Sequence, residues 1–188
     1  MTSTPSNPSS PADTEARIAR LRARVRDIPD FPKPGILFRD LTPLMGDGPS
    51  LRACVELLTE RVAHHRPEVI VAIESRGFIF GAPVAAALGV GFAPVRKPGK
   101  LPWKTSRQSY ELEYGTDSLE MHADAVRPGG RVVIVDDLLA TGGTAAATAA
   151  LVREQQGNVV AFAFVVELAS LGGRARLADA AADALIQY

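Results

Sequence analysis

Hydrophobic residues along this chain follow two patterns, one typical of buried strands and one typical of amphipathic helices. Apolar runs rich in β-branched residues predict strands at 69–73, 92–96, 131–135 and 159–167. Helical spacing of the apolar positions predicts helices at 13–26, 50–65, 78–88 and 143–155. Strands that are apolar throughout and alternate with helices are typical of parallel sheets. We therefore predict an α/β fold with a mostly parallel, twisted sheet and helices on both faces.

The composition of the chain favours a single folded domain. Its 188 residues are 46% hydrophobic, which is enough for one sizeable core. Residues 1–12 are mainly Ser, Thr, Pro and Asn, so we expect a disordered tail before a domain at 13–188. We recognise neither a signal peptide nor an apolar run long enough to span a bilayer, so we expect a protein without a membrane partner.

The charge and the cysteine content indicate which partners and which cellular location to expect. The 21 Lys and Arg residues balance 21 Asp and Glu residues, which does not favour a nucleic-acid partner. The single cysteine, Cys54, lies in an amphipathic stretch, where we expect an inert buried thiol. One cysteine cannot form an intramolecular disulfide, and this fits a cytoplasmic protein.

Two aspartates and a Gly-Thr loop follow the predicted strand at 131–135. The loop opens a helix, so its backbone amides and hydroxyls predict a nest for a phosphate group. It consists of Ala140, Thr141, Gly142, Gly143 and Thr144. Asp136 and Asp137 could accept hydrogen bonds from two ribose hydroxyls. The alternative is a plain Gly-Gly turn whose aspartates only cap the helix.

A second polar loop follows the strand at 69–73. Ser75 and Arg76 end this strand, and a guanidinium offers a forked donor for diphosphate oxygens. A surface arginine in an ordinary loop is the alternative interpretation. Ligands of parallel sheets bind at the carboxyl ends of the strands, so we expect the two loops to form one site.

The string at 135–144, Val-Asp-Asp-Leu-Leu-Ala-Thr-Gly-Gly-Thr, resembles the phosphoribosyl-diphosphate motif of type I phosphoribosyltransferases, in the form found in those that act on adenine. Segments 31–40, 74–78, 96–102 and 110–115 match the same family in the same order. The resemblance implies the type I phosphoribosyltransferase fold, with a small N-terminal hood and a flexible lid hairpin. It also implies a homodimer that converts adenine and phosphoribosyl diphosphate to AMP and diphosphate in purine salvage.

The resemblance further assigns roles to single residues. Glu113 is the implied catalytic group that accepts or stabilises the proton of adenine N7, and Tyr114 belongs to the lid. The implied diphosphate contacts are Ser75, Arg76, Lys97 and Lys100, of which Arg76 is also taken as catalytic. The implied adenine contacts are Leu37, Phe38, Arg39 and Leu168. By resemblance, we also expect a cis peptide near Glu74-Ser75.

A Mg²⁺ cofactor is implied by the chemistry, because a free diphosphate leaving group carries too much charge to depart unaided. We expect substrate oxygens, rather than protein side chains, to hold most of this metal.

Two other functions are compatible with the phosphate loop. A phosphoribosyltransferase for another purine base would keep the loop and change the base pocket, and the matches at 38–40 and 112–115 count against it. A regulator that senses phosphoribosyl diphosphate without catalysis usually carries a nucleic-acid-binding domain or a basic face. The zero net charge argues against such a face.

Overall fold

The computed structural model describes residues 10–111, 116–177 and 179–188. The chain divides into two compact units, Met1–Cys54 and Val55–Tyr188. Helix α3, Gly48–Ala63, runs across this division.

The first unit contains two helices and a two-stranded antiparallel sheet. Helix α1 spans Pro11–Arg22, and the Ser10 hydroxyl caps its first turn by accepting a 3.3 Å hydrogen bond from the Asp13 amide. Strand β1, Arg26–Pro29, pairs with β2, Leu37–Asp40, and α2, Thr42–Gly46, follows. The prediction of a helix as far as 26 was therefore wrong. The chain leaves the helix because Arg26 pairs across the small sheet with Asp40, at 2.6 Å.

The second unit is built on a five-stranded parallel sheet, in the order β4-β3-β7-β8-β9. This unit also contains most of α3, the helices α4 and α5, two short 3₁₀ helices, Ala169–Leu171 and Gly173–Leu177, and a separate antiparallel hairpin, β5-β6. In chain order the strands and the helices α4 and α5 are β3 Val69–Ile73, α4 Gly77–Leu88, β4 Gly91–Val95, β5 Thr105–Glu111, β6 Thr116–His122, β7 Arg131–Leu139, α5 Gly143–Glu154, β8 Asn158–Glu167 and β9 Ala181–Gln187.

Helices α4 and α5 cover opposite faces of the five-stranded sheet, as predicted. On β3, Ile70 and Ala72 face α4, where the backbone of Gly81 comes close to both side chains. Val71 and Ile73 alternate to the other face, in the buried cluster that includes Ala149 of α5. The predicted α/β class and parallel sheet are confirmed.

Three features differ from the sequence-based prediction. Strand β7 continues to Leu139, because β8 is long enough to pair with it as far as Glu167. Asp136 and Asp137 therefore lie within the strand rather than after it. The prediction missed β9, whose exposed and half-buried positions give it little apolar pattern. Segment 96–107 has five basic residues, no acidic ones, two prolines and a glycine, a pattern that predicts a cationic loop, but its end forms the start of β5.

Cys54 is buried, as expected, and burial raises the pKa of its thiol to about 12, which disfavours the reactive thiolate. Among the described residues, the helices are too short or too polar to cross a bilayer.

Replacing Gly81 with alanine should destabilise the protein by about 1–3 kcal/mol. The new methyl group would lie 2.5 Å from Cβ of Ala72, and neither helix nor strand can yield without losing core contacts. Urea unfolding would measure the loss. Gly46→Ala, where a methyl group meets nothing within 4 Å, is the matched control. Equal stability of Gly81→Ala and the wild type would contradict this close helix-sheet contact.

Candidate active site

The carboxyl ends of β3 and β7 lie side by side, because these parallel strands pair from Val69–Val132 to Ala72–Val135. A cavity of about 380 Å³ opens at this edge of the sheet. Seven of its lining residues are predicted site residues, namely Ser75, Arg76, Lys97, Asp136, Asp137, Ala140 and Thr144. The two polar loops therefore meet in one site, as the parallel sheet predicts.

Asp136 and Asp137 form the charged floor of this cavity. Nε of Arg76 lies 2.7 Å from Oδ2 of Asp137, whose side chain is only 8% exposed. Burial, reinforced by the neighbouring Asp137 carboxylate, holds the pKa of Asp136 well above its ordinary value. Burial also raises the pKa of Asp137, although the Arg76 cation opposes this shift. One guanidinium thus faces two carboxylates, and the floor is suited to hydroxyl groups that donate hydrogen bonds to it.

Gly77 allows the first turn of α4 to approach these carboxylates. A Cβ at this position would lie 2.7 Å from Oδ1 of Asp136 and 3.1 Å from the Val135 carbonyl oxygen. Only glycine permits this distance, so it fixes the position of Ser75 and Arg76 relative to β7. The peptide bond Glu74-Ser75 is cis, as expected from the resemblance.

The predicted phosphate loop forms a small cavity of about 70 Å³ between β7 and α5. Gly142 begins the helix with a φ of +80°, in the left-handed region that favours glycine. The loop rests on Gly173, where a Cβ would lie 2.2 Å from the Ala140 carbonyl oxygen and 3.1 Å from the Gly142 amide nitrogen. The shape of the phosphate loop therefore depends on a glycine 30 residues away, to which the sequence analysis gave no role.

The residue after this glycine, Arg174, forms an ion pair with the buried carboxylate of Glu167. Nε and Nη2 of Arg174 donate to the two oxygens of Glu167 at 2.6 and 2.7 Å, and Glu167 is 3% exposed. Gln187 of β9 donates to the same carboxylate at 3.0 Å. The sequence analysis missed this pairing of Glu167 and Arg174. A glutamate that ends an apolar strand was the one signal, since a buried carboxylate needs a cation.

The lysines predicted to contact diphosphate are each paired with a carboxylate. Lys97 lines the cavity and forms an ion pair with Asp117. Lys100, whose side chain is 47% exposed, binds Glu74 instead of lining the cavity. Burial would raise the pKa of Glu74, but the contacts from Lys100, the Lys97 amide and Arg96 outweigh it and hold the pKa below its ordinary value.

The residues predicted to bind adenine lie on different parts of the chain. Leu37, Phe38 and Arg39 lie on β2 in the first unit, where Arg39 pairs with Asp27. Leu168 follows β8 in the second unit, and its amide donates to the Leu139 carbonyl oxygen at 2.9 Å. The adenine pocket stays a prediction. Glu113 and Tyr114 lie outside the described residues.

Among residues 10–111, 116–177 and 179–188, no group of three or more metal-ligating side chains occurs.

Comparisons with known proteins point to one family. Residues 46–181 match the family described as phosphoribosyl transferase domain. An adenine phosphoribosyltransferase of Sorangium cellulosum is 57% identical over 91% of this chain and 86% of its own length. The crystal structure of adenine phosphoribosyltransferase from Thermoanaerobacter pseudethanolicus is 51% identical, with a TM-score of 0.89 over 91% of this chain and 99% of that one. The Saccharomyces cerevisiae enzyme, solved with an imino-altritol bisphosphate and adenine, is 40% identical, with a TM-score of 0.86 over 91% and 99%.

Asp136→Asn should stabilise the ligand-free protein at neutral pH, raising its melting temperature by roughly 3 °C. The raised pKa means that the charged form is disfavoured in the folded state. The free energy of unfolding of the wild type is therefore unaffected by Asp136 below its ordinary pKa of 3.8. It falls as the pH rises from there through the raised pKa of the folded state. The difference between variant and wild type should grow with pH in thermal unfolding from pH 4 to 8. Asp124→Asn, on an exposed turn, is the control. A lower melting temperature for Asp136→Asn at every pH would refute the assignment.

Gly173→Ala should weaken the binding of ribose 5-phosphate by at least about tenfold, which corresponds to ~1.4 kcal/mol. The added methyl group would displace Ala140 or Gly142 and open the phosphate nest. Titration calorimetry would give the affinity, with diphosphate as a second ligand that should bind nearly as before. Gly91→Ala serves as the control, because its methyl group would have ordinary contacts at 3.5 Å. Unchanged affinity for ribose 5-phosphate would disprove the dependence of the loop on Gly173.

Proposed function

This chain belongs to the adenine phosphoribosyltransferase family, and we propose that the cleft between β3 and β7 is where it transfers the 5-phosphoribosyl group of phosphoribosyl diphosphate to adenine, giving AMP and diphosphate. The main support is the convergence of a cation, two carboxylates and a phosphate nest on one cavity. Arg76, Asp136, Asp137 and Thr144 all line it.

Each part of the cleft then has a chemical role. The nest at 140–144 binds the 5-phosphate through backbone amides at the start of α5. Asp136 and Asp137 accept hydrogen bonds from the ribose hydroxyls, and their negative charge stabilises an oxocarbenium-like sugar as the bond to diphosphate breaks. Arg76 and Lys97 offset the charge of the departing diphosphate, and the Ser75 hydroxyl can donate a hydrogen bond to it. Lys100 is also assigned to the diphosphate, and to reach it this side chain has to leave Glu74.

Mg²⁺ fits this cleft as a substrate-bound cofactor. Asp136 and Asp137 line the cleft, and they suit contact through the ribose hydroxyls or water more than a closed protein cage. When bound, the metal would offset the charge that develops on the diphosphate leaving group.

Proton transfer is assigned to Glu113, on the strength of the match at 112–115. When N9 of adenine attacks the anomeric carbon, the base must lose a proton, and a carboxylate near N7 can accept or stabilise it. Tyr114 and the rest of the lid would exclude water, which otherwise competes for the activated sugar. Closure of the lid over the cleft is part of the proposal.

Adenine is expected to contact Leu37, Phe38, Arg39 and Leu168. Main-chain groups of the segment near β2 can match the amino donor and ring acceptor on the edge of adenine, and an apolar side chain can stack on its ring. We also propose a single catalytic domain at 13–188, a homodimer and a cytoplasmic location, as the family resemblance and the lone cysteine favour.

Diphosphate release from phosphoribosyl diphosphate and Mg²⁺ should occur with adenine and not with guanine, hypoxanthine, xanthine or uracil. Glu113→Ala should lower kcat by about 10²–10⁴-fold, the usual contribution of a positioned acid or base. Glu111→Ala, two residues earlier, is the matched control. Turnover would be measured with the purified protein at saturating substrates.

Turnover with a 6-oxopurine in place of adenine would overturn the choice of base and leave the phosphate site intact. Tight binding of phosphoribosyl diphosphate without turnover of any base would favour the sensor. Full activity of Glu113→Ala would remove the proton-transfer role from this glutamate.

A further inference from the structure

Lys97 is held at both ends by carboxylates from other parts of the chain. Its backbone amide donates to Oε2 of Glu74 at 3.1 Å, and its ammonium forms an ion pair with Asp117 of β6. The hydroxyl of Tyr110 lies 3.5 Å from the same ammonium. Burial alone would lower the pKa of Lys97, but Asp117 and Tyr110 outweigh it and raise the pKa, so the ammonium stays charged.

The carboxylate of Asp117 is itself fixed by hydrogen bonds. The Ser118 amide donates to Oδ1 at 2.8 Å, and the Tyr110 hydroxyl donates to Oδ2 at 3.2 Å. The bond from Lys97 keeps the pKa of Asp117 below its ordinary value, so this carboxylate is ionised at neutral pH. A fixed, ionised carboxylate that receives a bond from a flexible lysine restricts where the ammonium can lie.

Asp117 could either contact a ligand directly or position Lys97, and its location relative to the cavity favours the second role. Lys97 and Tyr110 line the cavity, whereas Asp117 is not among the lining residues described. An ammonium has three N–H donors, and Asp117 needs only one of them. Lys97 can therefore keep its bond to Asp117 while it donates to a ligand in the cavity.

Tyr110 connects this cluster to the phosphate nest. Its hydroxyl lies 3.5 Å from Oγ1 of Thr144, in the first turn of α5. The same hydroxyl thus lies between the ammonium of Lys97 and the loop expected to hold the 5-phosphate. One hydroxyl group links the side chains assigned to the two phosphorylated ends of the substrate.

We propose that Asp117 is a positioning residue that aims the ammonium of Lys97 at the diphosphate of the substrate, with Tyr110 as the second support. The inference rests on the proposed role of Lys97 in the transfer reaction. Asp117 touches the lysine and not the ligand, so its removal leaves the charge of Lys97 in place but lets the ammonium move.

Asp117→Asn should raise KM for phosphoribosyl diphosphate and Kd for diphosphate by about tenfold, as expected for loss of a charge-assisted bond. KM for adenine should stay within about twofold, and kcat should change less than KM for phosphoribosyl diphosphate, because the Asp117 bond acts on ground-state binding. Tyr110→Phe should act in the same direction and more weakly, which keeps the test valid if Asp117→Asn folds poorly. Asp124→Asn is the matched control.

Lys97→Met, alone and combined with Asp117→Asn, separates the possible outcomes. If Asp117 acts through the lysine, the tenfold effect of Asp117→Asn should vanish in the Lys97→Met background. An effect of full size in that background would overturn the inference, as would unchanged or tighter diphosphate binding by Asp117→Asn alone. Wild-type diphosphate affinity of Lys97→Met would instead remove Lys97 from the proposed function, and the inference would fall with it.

Discussion

The placement of two neighbouring carboxylates in a largely buried position at the end of β7 is the constraint on which the cleft depends. Asp136 and Asp137 repel each other, and burial removes the water that would stabilise their charge. Arg76 supplies the nearest cation from the loop after β3, and it can do so because Gly77 lets α4 approach the strand. The two loops are therefore coupled, and neither could move without exposing an uncompensated charge.

The shape of the phosphate loop depends on a close backbone contact with a distant glycine. The phosphate loop at 140–144 has its shape because Gly173 leaves room for the Ala140 carbonyl group. Arg174, the residue after Gly173, pairs with Glu167 at the end of β8. The Glu167 carboxylate must leave water, so the pair adds little net stability, but any arrangement that separates it from Arg174 would leave a buried charge unpaired and is strongly disfavoured. Precision in the phosphate loop therefore rests on residues that follow it by about 30 positions.

The accuracy of the sequence-based predictions followed how strongly each segment is buried. Strands β3, β7 and β8 were found because both of their faces are covered, so their residues are apolar throughout. The small β1-β2 pair was missed because its four-residue strands are mostly exposed or half-buried and mix apolar with charged residues, and β9 was missed because most of its positions are exposed or half-buried. Lys100 was assigned to diphosphate by resemblance, and its pairing with Glu74 could not be predicted because the two residues are 26 positions apart in sequence.

The sequence by itself determined the class of the fold and the residue types at the cleft. Apolar strands alternating with helices indicate a parallel sheet, and the segments at 74–77 and 136–144 carry groups suited to diphosphate and ribose phosphate. Only the tertiary structure decided which charges meet. Arg76 with Asp137, Lys97 with Asp117 and Arg174 with Glu167 are set by strand register and by glycine contacts. Local sequence does not encode these three ion pairs, because the strength of an electrostatic interaction depends on distance in space rather than along the chain.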